Sequence, residues 1–148
     1  MVQPPLTPAS ARIMESMIAL TRCSKLQRII VAGSKGAELM FELHRRGYAR
    51  VATTSNCGLP AGQYDVALVD WRQRSIKAFE TTLDWLMDFL SPAGVLVVWI
   101  DPQEPAANRN LRSMLERHGL IVEAGTIHEC GSAVSARQCE LNPISKVA

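Results

Sequence analysis

No stretch of this chain is apolar for long enough to cross a bilayer. The longest run, Ala93 to Ile100, is interrupted at Gly94, against the roughly 20 residues that a spanning helix needs. The N-terminus also lacks the basic-then-apolar pattern of a secretory signal, so the expectation is a cytoplasmic protein with no membrane partner. Charge of one sign is missing too: sixteen Lys and Arg face fourteen Asp and Glu, a net +2. Only Arg45-Arg46 and Arg72 with Arg74 cluster, which makes no strong positive field and does not indicate nucleic acid as a partner. Cys23, Cys57, Cys130 and Cys139 are too far apart for a Cys-x-x-Cys metal or redox pair. Free thiols in a reducing compartment are expected. There is no internal repeat and no low-complexity segment.

What remains is a chain of 148 residues, 47% hydrophobic and 20% charged, a size at which one domain builds a core without disulfides or metals. We read residues 1–148 as a single domain with a loose Pro-rich start at 1–6, an N-terminal helix at 7–22 and a tail at 142–148. Thr7-Pro8 supplies the N-cap and a first-turn proline for that helix. Ile13, Met17 and Leu20, with Met14 and Ile18, recur at helical spacing.

Arg28 to Ala32 is a short β-branched run ending at Gly33-Ser34-Lys35-Gly36, the pattern of a strand buried on both faces that turns into a helix. That helix carries Leu39, Met40 and Leu43 and closes at Gly47. A second strand is predicted over Ala49 to Thr54, and an irregular loop from Ser55 to Gly62 follows. Tyr64 to Val69 makes a third strand, ending in Asp70-Trp71. A helix over about Ser75 to Leu90 buries Ile76, Phe79, Leu83, Leu86 and Phe89 and leaves Glu80 and Asp84 in water. Ser91 to Gly94 breaks it, and Val95 to Ile100 is the clearest buried strand, ending in Asp101-Pro102. A last helix has Leu111, Met114, Leu115 and His118 in phase and closes at Gly119. Strands over Leu120 to Ala124 or slightly beyond, and about Ala133 to Leu141, complete the chain.

Such alternation implies an α/β three-layer sandwich around a mostly parallel sheet of about six strands. Ligands of these sheets bind outside the strand carboxyl ends, near the point where strand order reverses. The segments of interest are therefore 33–36, 53–58, 70–74 and 101–105.

Several of these pieces, in this order, resemble a class I S-adenosylmethionine-dependent methyltransferase domain over most of residues 10–141. Arg28 to Leu39 stands where that family has its glycine-rich first motif, and Tyr64 to Asp70 is similar to its fourth strand. Leu90 to Val98 resembles the turn into its fifth strand, and Leu111 to Glu123 the helix and sixth strand that follow. The resemblance implies S-adenosylmethionine as cofactor, held by Gly33, Ser34, Lys35, Gly36, Thr53, Thr54, Ser55, Asp70 and Trp71.

The departures from the family fall in that same pocket. Val31 occupies the acidic position and Lys35 the second glycine, where a Cβ obstructs close approach of backbone to ligand. Thr53-Thr54-Ser55 replaces the ribose-binding carboxylate with hydroxyls, which are weaker partners. Only Ser55 to Gln63, nine residues, joins the second and third strands. That spans roughly 30 Å when extended and has no room for the family's helix and third strand. The second strand is then an open sheet edge, to be covered by the N-terminal helix or by a second copy, with a homodimer expected through one of the two.

Asp70 and Asp101 are the catalytic candidates. Two strand-terminal carboxylates suit one Mg²⁺, as in metal-dependent catechol-type O-methyltransferases, with Asn108 or Asn110 as a third ligand. Turn formation accounts for both equally well, and no metal is expected. Ser34-Lys35-Gly36 suits an anion at a helix start or a plain turn, and it lacks the P-loop pattern. His44 and His118 sit in last turns of helices, where the dipole favours a cation. His128 falls between the last strands. Trp85 and Trp99 read as packing residues, while Trp71 either packs or stacks on a ligand. No nucleophile has the strand-turn context it needs.

The leading expectation is a methyltransferase-like domain with a degenerate cofactor site, acting as a non-catalytic binding or assembly module. The alternatives are an active small-molecule methyltransferase, in which Asp70 or Asp101 orients the acceptor, and a nucleotide-binding Rossmann-like protein resting on Gly33 and Gly36.

Overall fold

The computed structural model describes residues 8–33, 36–53, 62–71, 75–101, 106–128 and 131–138. Its elements run α1 (Pro8–Thr21), β1 (Ile29–Gly33), α2 (Gly36–Arg45), β2 (Val51–Thr53), β3 (Tyr64–Asp70), α3 (Ile76–Phe89), β4 (Leu90–Ile100), α4 (Ala106–Arg117), β5 (Leu120–His128) and β6 (Gly131–Gln138). The six strands form one sheet in the order β2-β1-β3-β4-β6-β5. β1 to β4 are mutually parallel, while β6 lies antiparallel between β4 and β5. The sheet is therefore mixed, its parallel half carrying the expected βαβ crossovers and its other half a hairpin.

The aliphatic runs in β1, β3 and β4 are buried on both faces, as continuous apolar strands under two helix layers must be. On one face Ile30, Val69, Leu96 and Val98 meet Phe79 and Leu83 of α3 and Leu111 and Leu115 of α4. On the other, Ile29, Val31, Leu68 and Val97 meet Ile13, Met14 and Met17 of α1 and Leu39 and Leu43 of α2. The N-terminal helix is thus a cover for a sheet face. Its methionines do not lie exposed as a dimer contact, for Met14 and Met17 are each 0% accessible. Among the described residues no helix is long and apolar enough to cross a membrane.

Strand boundaries shift where pairing overrides local composition. Among the described residues β2 covers Val51–Thr53, the three that pair with β1, so Ala49 and Arg50 of the expected strand precede it and Thr54 lies outside the described residues. Ser91 to Gly94 does not leave the sheet. Tyr64 pairs with Leu90 and Val66 with Val95, so the intervening residues bulge within β4. β5 extends to His128, beyond the expected Ala124, and β6 begins at Gly131, ahead of the expected Ala133, so the two pair as a tight hairpin from Leu120 with Gln138 to His128 with Gly131.

Cys23, buried with a free thiol, lies at the α1 end of the second core beside Tyr48. Burial, and then the Cys23 thiol, push the Tyr48 phenol above its ordinary value. A folded phenol that holds its proton more tightly than the unfolded one contributes stability that is complete below about pH 10 and is lost as pH climbs through the folded value. Urea midpoints of the wild type are expected to fall above about pH 10, and those of Tyr48→Phe to fall less steeply. Equal alkaline slopes for the two proteins would refute this placement of the hydroxyl.

Candidate functional site at the carboxyl end of the sheet

Strand order reverses between β1 and β3, which is where a ligand crevice opens in such sheets. β1 ends there in Gly33, paired with Asp70 at the end of β3. Gly33 has φ +102, and a Cβ on it would run into the Asp70 carbonyl oxygen. The missing side chain at Gly33 is thus accounted for by the approach of one strand end to another. Gly36, the first residue of α2, differs: a Cβ there would come no nearer than 3.9 Å to the Val31 carbonyl. Packing does not demand glycine at that position.

Asp70 is 0% accessible, so its carboxylate lies inside the protein at the base of the crevice. It pairs in register with Trp99, which sets Asp101 two residues further along the neighbouring strand, roughly 7 Å higher and only half-buried. Among the described residues no three His, Cys, Asp or Glu side chains are grouped to hold a metal. Trp71 is 2% accessible. Its ring lies 5.1 Å from that of Phe79, its Nε1–H donates to the Ser75 carbonyl at 2.9 Å, and its main-chain N–H donates to the Trp99 carbonyl. Of the two roles considered for Trp71, packing is the one its surroundings display: the indole lies in the core between β3 and α3. Ser75 in turn caps α3, its side chain accepting from the Ala78 N–H.

Thr53 closes β2 at this same end, half-buried. Ser34, Lys35, Thr54 and Ser55 lie outside the described residues. The antiparallel hairpin adds residues that spacing along the chain did not single out. Ser132 pairs with Ile100 at the start of β6 and its hydroxyl oxygen accepts from Asn108 Nδ2 at 3.1 Å. Arg112 Nε donates to Asn108 Oδ1 at 2.8 Å, fixing the amide of Asn108 toward β6. The amide is thereby committed to Ser132 and Arg112, which does not favour its use as a third metal ligand. His128 ends β5 opposite Gly131, so its backbone reaches this end of the sheet. His118 stands away from it, between Glu80 and Asp84 of α3 at 3.2 Å from each; the side of α3 expected to face water alone thus holds the end of α4.

Against S-adenosylmethionine, the described residues offer Gly36 and the Thr53 strand end as open surface, while the Gly33 position is closed by Asp70 and both Asp70 and Trp71 are enclosed. No carboxylate stands at the end of β2 for a ribose. Of the nine residues that the resemblance implies, these five, Gly33, Gly36, Thr53, Asp70 and Trp71, are the described ones.

No family model and no curated protein matches the chain. Its similarity is to solved structures. A ribosomal protein L11 methylase from Lactobacillus delbrueckii subsp. bulgaricus is 10% identical over 94% of this chain and 90% of its own, with a TM-score of 0.64. The 1,6-didemethyltoxoflavin-N1-methyltransferase of Burkholderia thailandensis, determined with S-adenosylhomocysteine bound, is 14% identical over 90% and 79%, with a TM-score of 0.61. The [4+2]-cyclase SpnF is 13% identical over 88% and 81%, with a TM-score of 0.63. At these identities the likeness is one of fold.

Proposed function

We propose that this class I methyltransferase-like fold, shortened by one strand unit, serves as a non-catalytic binding or assembly module whose S-adenosylmethionine site is degenerate. The observation that carries the reading is the closed Gly33 position: the glycine of the first motif meets the Asp70 carbonyl of its own sheet, where a cofactor site needs bare backbone facing the ligand. The buried carboxylate of Asp70, the enclosed ring of Trp71 and the absence of an acid at the end of β2 support it. That a cyclase shares the fold accords with the general rule that chemistry belongs to the site rather than the scaffold. With the α1 methionines buried, the open side of β2 is the rim left for a second copy of the chain.

One observation favours a second reading, an active methyltransferase on a small molecule. Gly36 begins α2 with no side chain and, among the described residues, with no packing reason for lacking one, as a backbone kept bare for a ligand would be. Titration calorimetry with S-adenosylmethionine and S-adenosylhomocysteine, with thermal melting alongside, separates the two. The degenerate site is expected to give no heat and no rise in Tm up to about 1 mM ligand, because native-state binding at that concentration raises stability. A micromolar Kd that Gly36→Ala abolishes without changing Tm would overturn the proposal in favour of the enzyme.

A further inference from the structure

The opposite end of the sheet holds a cavity that belongs to none of this. About 390 Å³ of space lies at the amino ends of β1, β2 and β3, lined by Arg28, Ala49, Arg50, Val51, Ala52 and Tyr64. Its volume is within the roughly 300–1,000 Å³ of small-molecule sites. Two arginines are among its lining residues, and no Asp or Glu is. Among the described residues neither Arg28 nor Arg50 takes part in an ion pair. The carboxylate of Asp65, which follows Tyr64 in β3, accepts the main-chain N–H of Arg28 at 3.0 Å. Arg28 Nη1 donates to Gln63 Oε1 at 3.1 Å, a neutral partner that orients the guanidinium and leaves its charge intact.

From this geometry we infer that the cavity is a binding site for a small phosphate-bearing molecule. Two like charges lining one concave wall repel each other until an anion neutralises both. A phosphate monoester or inorganic phosphate carries about two negative charges and three acceptor oxygens, enough for two planar forks, whereas a carboxylate satisfies one. Ala52, on the same sheet face as Ile30 and Tyr64, offers an apolar surface beside the arginines to the body of an ester. An extended peptide suits the place less well, because β2 is three residues long and gives too short a ladder to hold an added strand. The site is independent of the cofactor reading, as it lies at the other end of the same strands.

The test is a titration of the uniformly ¹⁵N-labelled full chain, followed at the arginine Nε–H signals, with inorganic phosphate in one arm and a nucleoside 5′-monophosphate and glycerol 3-phosphate in two others. Saturable shifts are expected at Arg28 and Arg50 and at the amides of Val51 and Ala52, with Arg28→Gln and Arg50→Gln each weakening Kd at least tenfold, or about 1.4 kcal/mol. Tighter binding in an ester arm identifies an ester as the ligand, and equal binding in all arms identifies free phosphate. Arg50 is exposed at the sheet rim, so Arg50→Gln alone decides the matter should Arg28→Gln fail to fold. Shifts that rise linearly without saturating, that spread over the other arginines, or that persist unchanged in Arg50→Gln would overturn the inference.

Discussion

Replacing Trp71 by alanine is expected to lower the folding free energy by about 3–5 kcal/mol, the cost of a large aromatic removed from a packed core. The ring is 2% accessible, tilted against Phe79, and bonded through Nε1 to the residue that caps α3. Truncation therefore leaves a cavity and removes the indole bond to the Ser75 carbonyl, which keeps only the Ala78 N–H among the donors described. Trp71→Phe should recover much of the loss by refilling the cavity without restoring the indole bond to the Ser75 carbonyl. Urea unfolding with a shared slope reads the difference directly. A ring that waits at a crevice for a ligand would behave in the opposite way, with alanine nearly neutral to stability, and that result would return Trp71 to the binding surface.

Gly33→Ala is the second large effect, about 3 kcal/mol or more. An L-residue at φ +102 is strained by roughly 1–3 kcal/mol, and its Cβ meets main chain, the Asp70 carbonyl, which has no rotamer by which to move away. Either β1 and β3 separate at their ends or the turn into α2 is rebuilt. Gly36→Ala supplies the contrast within three residues: among the described residues its Cβ meets only an ordinary contact at 3.9 Å, so it is expected to be neutral or slightly stabilising, since alanine is the better helix former. Thermal and urea unfolding of the pair should differ clearly. A Gly33→Ala protein as stable as the wild type would mean that the strand ends do not meet as described.

These contrasts also mark where the sequence was readable. Continuous aliphatic runs such as Val95 to Ile100, and helical spacing such as Ile76, Phe79, Leu83 and Leu86, state their partners in their own periodicity, and the parallel half of the sheet followed from them. The β5–β6 hairpin was blurred because its period breaks: Glu123 is skipped when Val122 and Ala124 pair with consecutive residues of β6, and Gly125 carries no side chain to count. The site was harder. Gly33 and Gly36 look alike in the chain, and only the position of the Asp70 carbonyl separates a glycine required by the fold from one it does not require. The contact of Asn108 with Ser132 joins residues 24 apart through the insertion of β6 beside β4, an order that local patterning does not encode. The paired arginines of the lower cavity, Arg28 and Arg50, lie in different elements and form no motif at all.

Strand β2 is attached to the rest of the sheet by three paired residues on one side only, and each is half-buried. Among the strands it has the least to lose by opening, so it occupies the low end of the range of local unfolding energies. Thr53 finishes it at one end of the sheet and Arg50 precedes it at the other. Any ligand that engages either residue must therefore first close this strand onto β1, and its apparent affinity is reduced by the fraction of molecules in which the strand is detached. A ligand held at Arg50 would therefore also steady the Thr53 end of the same short strand.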